Sequence, residues 1–478
     1  MRKRLLTILL LAGIPMCSLM AQQKKTDTIH INLDKAIEIA LSENPTMRIA
    51  GRDIEIKKNY KKEQIALLFP TVSGAAGYNH TIQKQKMAMD ISKMTSGIAE
   101  LLEFYLSDIY KALWELGKPI FPKEPGGEGS NGPMEVGSFN NWSAGINFSL
   151  PIIAPAAWVN LKLSQLDVEM AMENARSSKI ALINEVKKSY YNYLLAKDSY
   201  FVLQRNYENL QLSYEDISRK FEHGIVSELE KMRAEVQLNS QIPGLKSAER
   251  GIELTLIFLK VLIGVDITEA ISFEGALINY EEKIKETPLP DVNALNFSNN
   301  PDINKLDIAA KQLNTSIKLL KASSSPVLAL SGAWQYSAMS DDLIFKDYKW
   351  FPYSYITLGV NIPITSWTGT TYKIRSSKLN IKTLEDQKKY LDDNLKISVI
   401  NSINQINNAV EVLESNKNNM LLAEKVYTIF QKQYEIGMAT WLDLNSSEMA
   451  LTGAKLAYNQ SIYIYLTAFA DLEKTLGK

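Results

Sequence analysis

The sequence has one cysteine, three histidines and no excess of charge of either sign, and each shortage removes a class of function. His30, His80 and His223 are scattered, and no His/Cys cluster offers metal-ligand spacing, so neither a metal nor a cofactor is expected. No phosphate-cradling glycine loop, HExxH motif or cysteine nucleophile occurs, and nothing points to an enzyme. The 53 Lys and Arg residues match 53 Asp and Glu, which leaves a basic face for nucleic acid unsupported. No run of about 20 apolar residues follows the leader, so no membrane-spanning helix is expected. A membrane β-barrel stays open, because its alternating strands give a much weaker signal.

Residues 1–21 read as a secretory signal, with Arg2, Lys3 and Arg4, an apolar run from Leu5 to Ile14 and a polar turn toward Ala21. Its removal would leave 50 basic against 53 acidic residues and no thiol, since the only cysteine is Cys17. The run Ile14-Pro15-Met16-Cys17 fits a lipoprotein cleavage signal poorly.

What the sequence does contain is a repeat. Tyr434 to Leu451 reproduces the pattern of Phe221 to Leu238: an aromatic ends a periodic helix, a glycine follows three residues later, and a new helix opens with a carboxylate. Gly224 and Gly437 sit where a helix C-terminus needs positive φ. An offset of 213 positions relates Gly224 to Gly437, Leu229 to Leu442, Glu235 to Glu448 and Gly264 to Gly477. Upstream the offset is 256, relating Asn44-Pro45 to Asn300-Pro301 and Pro70 to Pro326. The difference of 43 residues is an insertion in the first copy, and the chain is an internal duplication. The expected division is a signal at 1–21, a first repeat at 22–264 with an insertion at 80–140, a connection at 265–290 and a second repeat at 291–478.

Leu33 to Leu68 has helical spacing, with Pro45 expected to bend it or separate a short first helix. The insertion holds an amphipathic piece, 98–116, and a Pro/Gly run, 118–133. Met87, Met89 and Met94 within it read better as gap-filling apolar residues than as a soft-metal site, since no histidine or cysteine accompanies them. Residues 156–222 and 369–436 are polar with a narrow apolar stripe, in which Ile403, Ile406, Val410 and Leu413 step by three and four. Each would be a helix of roughly 100 Å. The shorter helices of each copy add up to nearly that length, which suggests a column one side of which is two stacked pieces.

Four strands carry the membrane question. Trp142, Ala144, Ile146, Phe148 and Leu150 alternate with Ser143, Gly145, Asn147 and Ser149, and Thr71 to Asn79, Leu328 to Tyr336 and Ile356 to Ile362 follow suit. A greasy face opposite a small polar one suits lipid on one side and water on the other; the competing reading is a soluble sandwich with the apolar face inward. Tyr78, Trp142, Trp334 and Tyr336 cluster toward one set of strand ends, and Phe69, Trp158 and Trp367 toward the other, as interfacial belts require. Open strand edges cannot face hydrocarbon, so several chains must pool their strands.

With Tyr434, Gly437, Leu442, Asp443 and Leu444 as Y-x-x-G followed by L-D-L, the Asn-Pro pairs and the Pro-bounded strands, the chain resembles the TolC-like outer-membrane efflux protein family over almost its whole length. The resemblance implies a mixed α and β membrane protein, a homotrimer in which four strands per chain build a 12-stranded barrel in outer-membrane lipid above a long helical periplasmic barrel. It also implies a periplasmic tip held shut like an iris, with Asp443 and Glu230 at acidic positions, Tyr434 beside them, and Ser446 where a second acidic position stands in the better-known pattern. Asp443 also fits simple complementation of a helix N-terminus, and both roles can hold, with gating favoured. His223 beside Gly224 reads as a polar helix end. The implied partners are a periplasmic adaptor (membrane fusion) protein and an inner-membrane RND, ABC or MFS transporter, for efflux or type I secretion from the outer membrane of a Gram-negative cell. The competing function is a soluble periplasmic coiled-coil scaffold that conducts nothing.

Overall fold

The computed structural model describes residues 29–87, 104, 134–281, 290–291, 295–343, 348–364 and 367–478. The signal at 1–21 with Cys17, the amphipathic piece at 98–116, the Pro/Gly run, Met89, Met94 and the Trp367 side chain lie outside the described residues. In chain order the elements are β1 (Ile29–Ile31), α1 (Leu33–Glu43), α2 (Pro45–Ala66), β2 (Thr71–His80), β3 (Gln85–Met87), β4 (Met134–Val136), β5 (Asn140–Ile153), α3 (Pro155–Glu222) and α4 (Glu228–Ile263). There follow β6 (Ile271–Phe273), a 3-10 turn (Leu277–Tyr280), α5 (Pro301–Ala322), β7 (Val327–Ser340), β8 (Phe351–Asn361), α6 (Trp367–Glu435) and α7 (Trp441–Thr475). The insertion is therefore entered and left through a short ladder, β3 against β4, which the sequence did not announce.

Contacts divide the chain into two compact units. One comprises residues up to Ile56, Glu169–Ala310 and Thr383–Lys478; the other comprises Lys57–Val168 and Lys311–Lys382.

In the first unit the helix expected at Leu33–Leu68 is broken at Asn44, whose ψ of 130° leaves the helical region ahead of Pro45. The buried Asn44 side chain does more than end α1. Its Nδ2 donates to Leu262 O at 2.6 Å and its Oδ1 accepts from Thr46 N at 2.7 Å, which ties the end of α4 to the start of α2. The second copy repeats the stitch: Asn300 Nδ2 donates to Thr475 O at 3.0 Å and Oδ1 accepts from Asp302 N at 2.9 Å. Gly264 and Gly477, at φ 80° and 75°, close α4 and α7 directly against these asparagines. Two motifs repeated at different offsets thus meet in space within each copy.

The long helices α3 and α6 run 68 and 69 residues. In α6 the buried positions are Val399, Ser402, Ile406, Ala409 and Leu413, a 3-4-3-4 spacing that defines a coiled-coil seam. Val410 lies outside it, because the seam passes through the small residues Ser402 and Ala409, which a count of large apolar side chains overlooks. The core of this unit gathers around β1, which pairs in parallel with β6 from the connection between the repeats. Phe273 of β6 meets the edges of Tyr190 and Tyr193 from α3, at 5.9 and 5.6 Å between ring centroids.

In the second unit β2, β5, β7 and β8 form one antiparallel sheet in that order. The register aligns all four apolar rows: Val72 pairs with Phe148, Phe148 with Gly332, and Gly332 with Ile356. Directly paired residues share a face, so the greasy sides coincide across the sheet. Among the described residues no second sheet or helix covers that face; Ile356 on it is 74% exposed.

Candidate functional site

The helical turns between α3 and α4 and between α6 and α7 share one construction. Gly224 has φ 69° and Gly437 φ 75°, and beyond each the next N–H reaches back to a carbonyl five residues earlier, Ile225 to Lys220 at 2.8 Å and Met438 to Gln433 at 2.8 Å. This closes the dying helix while only glycine relieves the strain of positive φ. The following helices are capped by Ser227 and Thr440. Ser227 Oγ accepts from Glu230 N at 3.3 Å, whereas Thr440 and Asp443 form a reciprocal box, with Asp443 N to Thr440 Oγ1 at 3.2 Å and Thr440 N to Asp443 Oδ2 at 3.0 Å. Asp443 remains exposed, and the Thr440 hydroxyl and amide hold its carboxyl below the usual carboxylate range. Leu442 and Ser446 are exposed on the same turn, and Glu230 is half-buried on its own.

A small apolar cluster draws the two turns together. Ile217 of α3, Ala234 of α4 and Trp441 of α7 are buried against one another, flanked by Tyr214, Val226 and Tyr434. On its rim the sequence missed a group. Asp216 and Lys220, four residues apart on α3, pair at 2.7 Å. Tyr434, from the end of α6, donates to Asp216 Oδ2 at 3.4 Å and accepts from Lys220 Nζ at 3.3 Å, and the ammonium lies 4.5 Å from the Tyr434 ring centroid. The helix-spaced pair Asp216/Lys220 was visible as sequence, but its partner lies 214 positions from Lys220. Burial works against the Lys220 charge, but Asp216 and the Tyr434 hydroxyl outweigh it and hold the ammonium above its ordinary pKa. Burial pushes the Tyr434 phenol up.

The sheet places its aromatics less evenly than expected. Tyr78 and Trp142 pair directly near one end, with rings 4.4 Å apart, and Tyr336 lies opposite Ala144. Trp334 pairs with Ile146 and Ser354 midway along its 14-residue strand, with its ring 5.5 Å from that of Tyr336. That end is fastened by polar groups. The buried Asn140 accepts from Tyr78 Oη at 2.8 Å and donates to Asp341 O at 3.2 Å, while Asp341 pairs with Lys84 at 2.8 Å.

The outer membrane efflux protein family matches residues 36–264 and 295–478. The chain belongs to that family. It is 20% identical over 339 residues to the outer membrane protein TolC of Vibrio cholerae, a match spanning 70% of this chain and 76% of that one. Its fold is similar to the Campylobacter jejuni CmeC outer membrane channel, with a TM-score of 0.63 and 18% identity over 93% of this chain and 85% of the other. It is similar also to the open state of the Neisseria gonorrhoeae MtrE outer membrane channel, with a TM-score of 0.67 and 19% identity over 93% and 88%. The protein is an outer-membrane efflux channel of the tripartite type, and its helical part extends into the periplasm. In this fold four strands from each of three chains close a 12-stranded barrel, which accounts for a sheet with two open edges and an uncovered apolar face. The soluble sandwich and the soluble scaffold both fall with this assignment. Members of the family are channels rather than enzymes.

Proposed function

We propose that the paired helical turns are the gate of this efflux channel, and that Tyr434, Asp216 and Lys220 are the latch that holds it closed. The observation that carries the reading is the Tyr434 hydroxyl, which bridges the ends of the two long helices, one from each copy of the repeat. Opening an iris made of these helices requires their ends to part, and parting them breaks this set of bonds. In a homotrimer the latch occurs three times. Asp443 and Glu230 would contribute carboxylates near the constriction, with Ser446 supplying no charge, so that the narrow end favours cations and binds divalents. The capping box supports both roles of Asp443, since it orients the carboxylate and keeps it ionised.

The reading extends to partners. A periplasmic adaptor (membrane fusion) protein would engage the turns displaying Gly224, Gly437 and Leu442, and an inner-membrane RND, ABC or MFS transporter would deliver the cargo. The repeats at 22–264 and 291–478, joined through 265–290, would act as equivalent halves of the iris. Tyr78, Trp142 and Tyr336 would sit at the outer lipid interface.

Single-channel conductance of the purified trimer in a planar bilayer tests the gate. Tyr434→Phe combined with Asp216→Asn is expected to enlarge the current several-fold, and Asp443→Ala to weaken block by divalent cations added from the periplasmic side. Currents indifferent to all three substitutions would move the gate elsewhere in the channel.

A further inference from the structure

The face of the sheet opposite the lipid-facing rows is built mostly of Ser, Gly, Asn, Thr and Ala, and its aromatics all come from one strand. Phe351, Tyr353 and Tyr355 alternate along β8 and pair with Ser337, Gln335 and Ala333, which places all three aromatics on the polar face. They are 62%, 54% and 42% exposed, and the Tyr353 and Tyr355 rings stand 5.6 Å apart. In a barrel whose apolar face meets lipid, this face lines the lumen. The ends of β2 and β5 that continue into helices are the periplasmic ones, so Phe351 and Tyr353 stand at the outer mouth.

A cavity of about 680 Å³ lies beside them. Gly77, Ser143 and Ser337 give it a low floor, Gln335 offers an amide for hydrogen bonding, and Phe351 and Tyr353 form its wall. Its size falls in the range of pockets that hold drug-sized molecules. The four strands contain no Asp, Glu, Lys or Arg, so nothing in this wall competes with the aromatic faces for a charged solute or repels a neutral one. Aromatic faces carry negative potential and attract flat rings and organic cations.

We propose that Phe351 and Tyr353 form an exit-side binding site, present three times in the trimer, for planar aromatic cargo that is neutral or cationic. The site holds the molecule by ring stacking and cation–π attraction after it has passed the helical gate, and Gln335 satisfies a polar substituent. It rests on the channel assignment and is independent of where the gate lies.

Ethidium, a planar aromatic cation, is the probe, and tetrapropylammonium is the aliphatic cation of equal charge. Block of single-channel current from the extracellular side is measured for wild type, for Phe351→Ala with Tyr353→Ala, for Tyr353→Phe, and for Tyr336→Ala on the lipid-facing side of the same sheet. The expected result is that the double substitution shortens ethidium residence at least tenfold, that Tyr353→Phe and Tyr336→Ala leave it within about twofold, and that tetrapropylammonium, which makes cation–π contacts but cannot stack, loses at most about threefold. Equal loss for both cations would mean a change in pore width and would overturn the proposal, as would unchanged ethidium block. Fluorescence anisotropy of ethidium with the detergent-solubilised trimer reads the same site without conduction. Binding abolished by the double substitution in a preparation that carries no current would leave the site standing and fault the channel assay, whereas wild-type trimer that does not bind ethidium overturns the site itself.

Discussion

Glu448 is 4% exposed on α7, with one carboxylate oxygen lacking any hydrogen-bond partner, and burial raises its pKa against the lowering effect of the Asn209 side chain on α3. A carboxyl whose folded pKa lies above its unfolded value destabilises the fold at neutral pH, and the penalty fades as pH falls through the raised value. Glu448→Gln is therefore expected to stabilise the helical region near pH 7.5 by on the order of 1 kcal/mol, and the gain should disappear toward pH 4.5. Thermal melting of the detergent-solubilised trimer at the two pH values checks it; equal effects at both would mean that the charge is not the cause. The latch has the opposite sign. Lys220 has a raised pKa, so its contribution is fully present below the unfolded value of about 10 and is lost only as pH rises beyond it.

At the scale of elements, helix ends set the positions of everything that acts. Gly264 and Gly437 have nearly the same φ, 80° and 75°, but differ in surroundings. A Cβ on Gly264 would lie 2.6 Å from the Glu43 backbone, whereas one on Gly437 would meet nothing within 4 Å. Gly437→Ala is expected to cost only the strain of a left-handed conformation, about 1 kcal/mol, and Gly264→Ala about 2 kcal/mol or more because backbone must move. A melting series of the two variants separates strain from collision, and identical losses would contradict the packing at Asn44. The stacked short helices and the continuous long ones were legible in the sequence because Asn-Pro and Gly punctuate them. The seam through Ser402 and Ala409 was not, because small residues carry little hydrophobic signal.

For the whole molecule the sheet register is decisive. Ile356 on the apolar face and Thr357 on the polar one are neighbours in sequence and opposite in destination. An arginine at a lipid-facing position near the bilayer midplane costs about 2–4 kcal/mol, and a trimer carries it three times. Ile356→Arg is expected to abolish folded trimer in the outer membrane, while Thr357→Arg leaves the trimer and alters its ion selectivity. The yield of heat-modifiable trimer on unboiled gels reads both, and equal tolerance of the two would refute the assignment of faces. No Asp, Glu, Lys or Arg occurs in any of the four strands, and His80 at the end of β2 is the one histidine among them, so the strands give the barrel wall no fixed charge.

Periodicity and punctuation alone determined the duplication, the helix lengths, the two-faced strands and the need for several chains, because each is written in residues close together along the chain. They also carried the family resemblance. Only tertiary structure joined Tyr434 to Asp216 and Lys220, brought Asn44 to Gly264 and Asn300 to Gly477, buried Glu448, and set Phe351 and Tyr353 above a floor of Gly77 and Ser143. Those contacts depend on where one helix or strand comes to rest against another, and a side chain's neighbours across such an interface leave no periodic trace in its own segment.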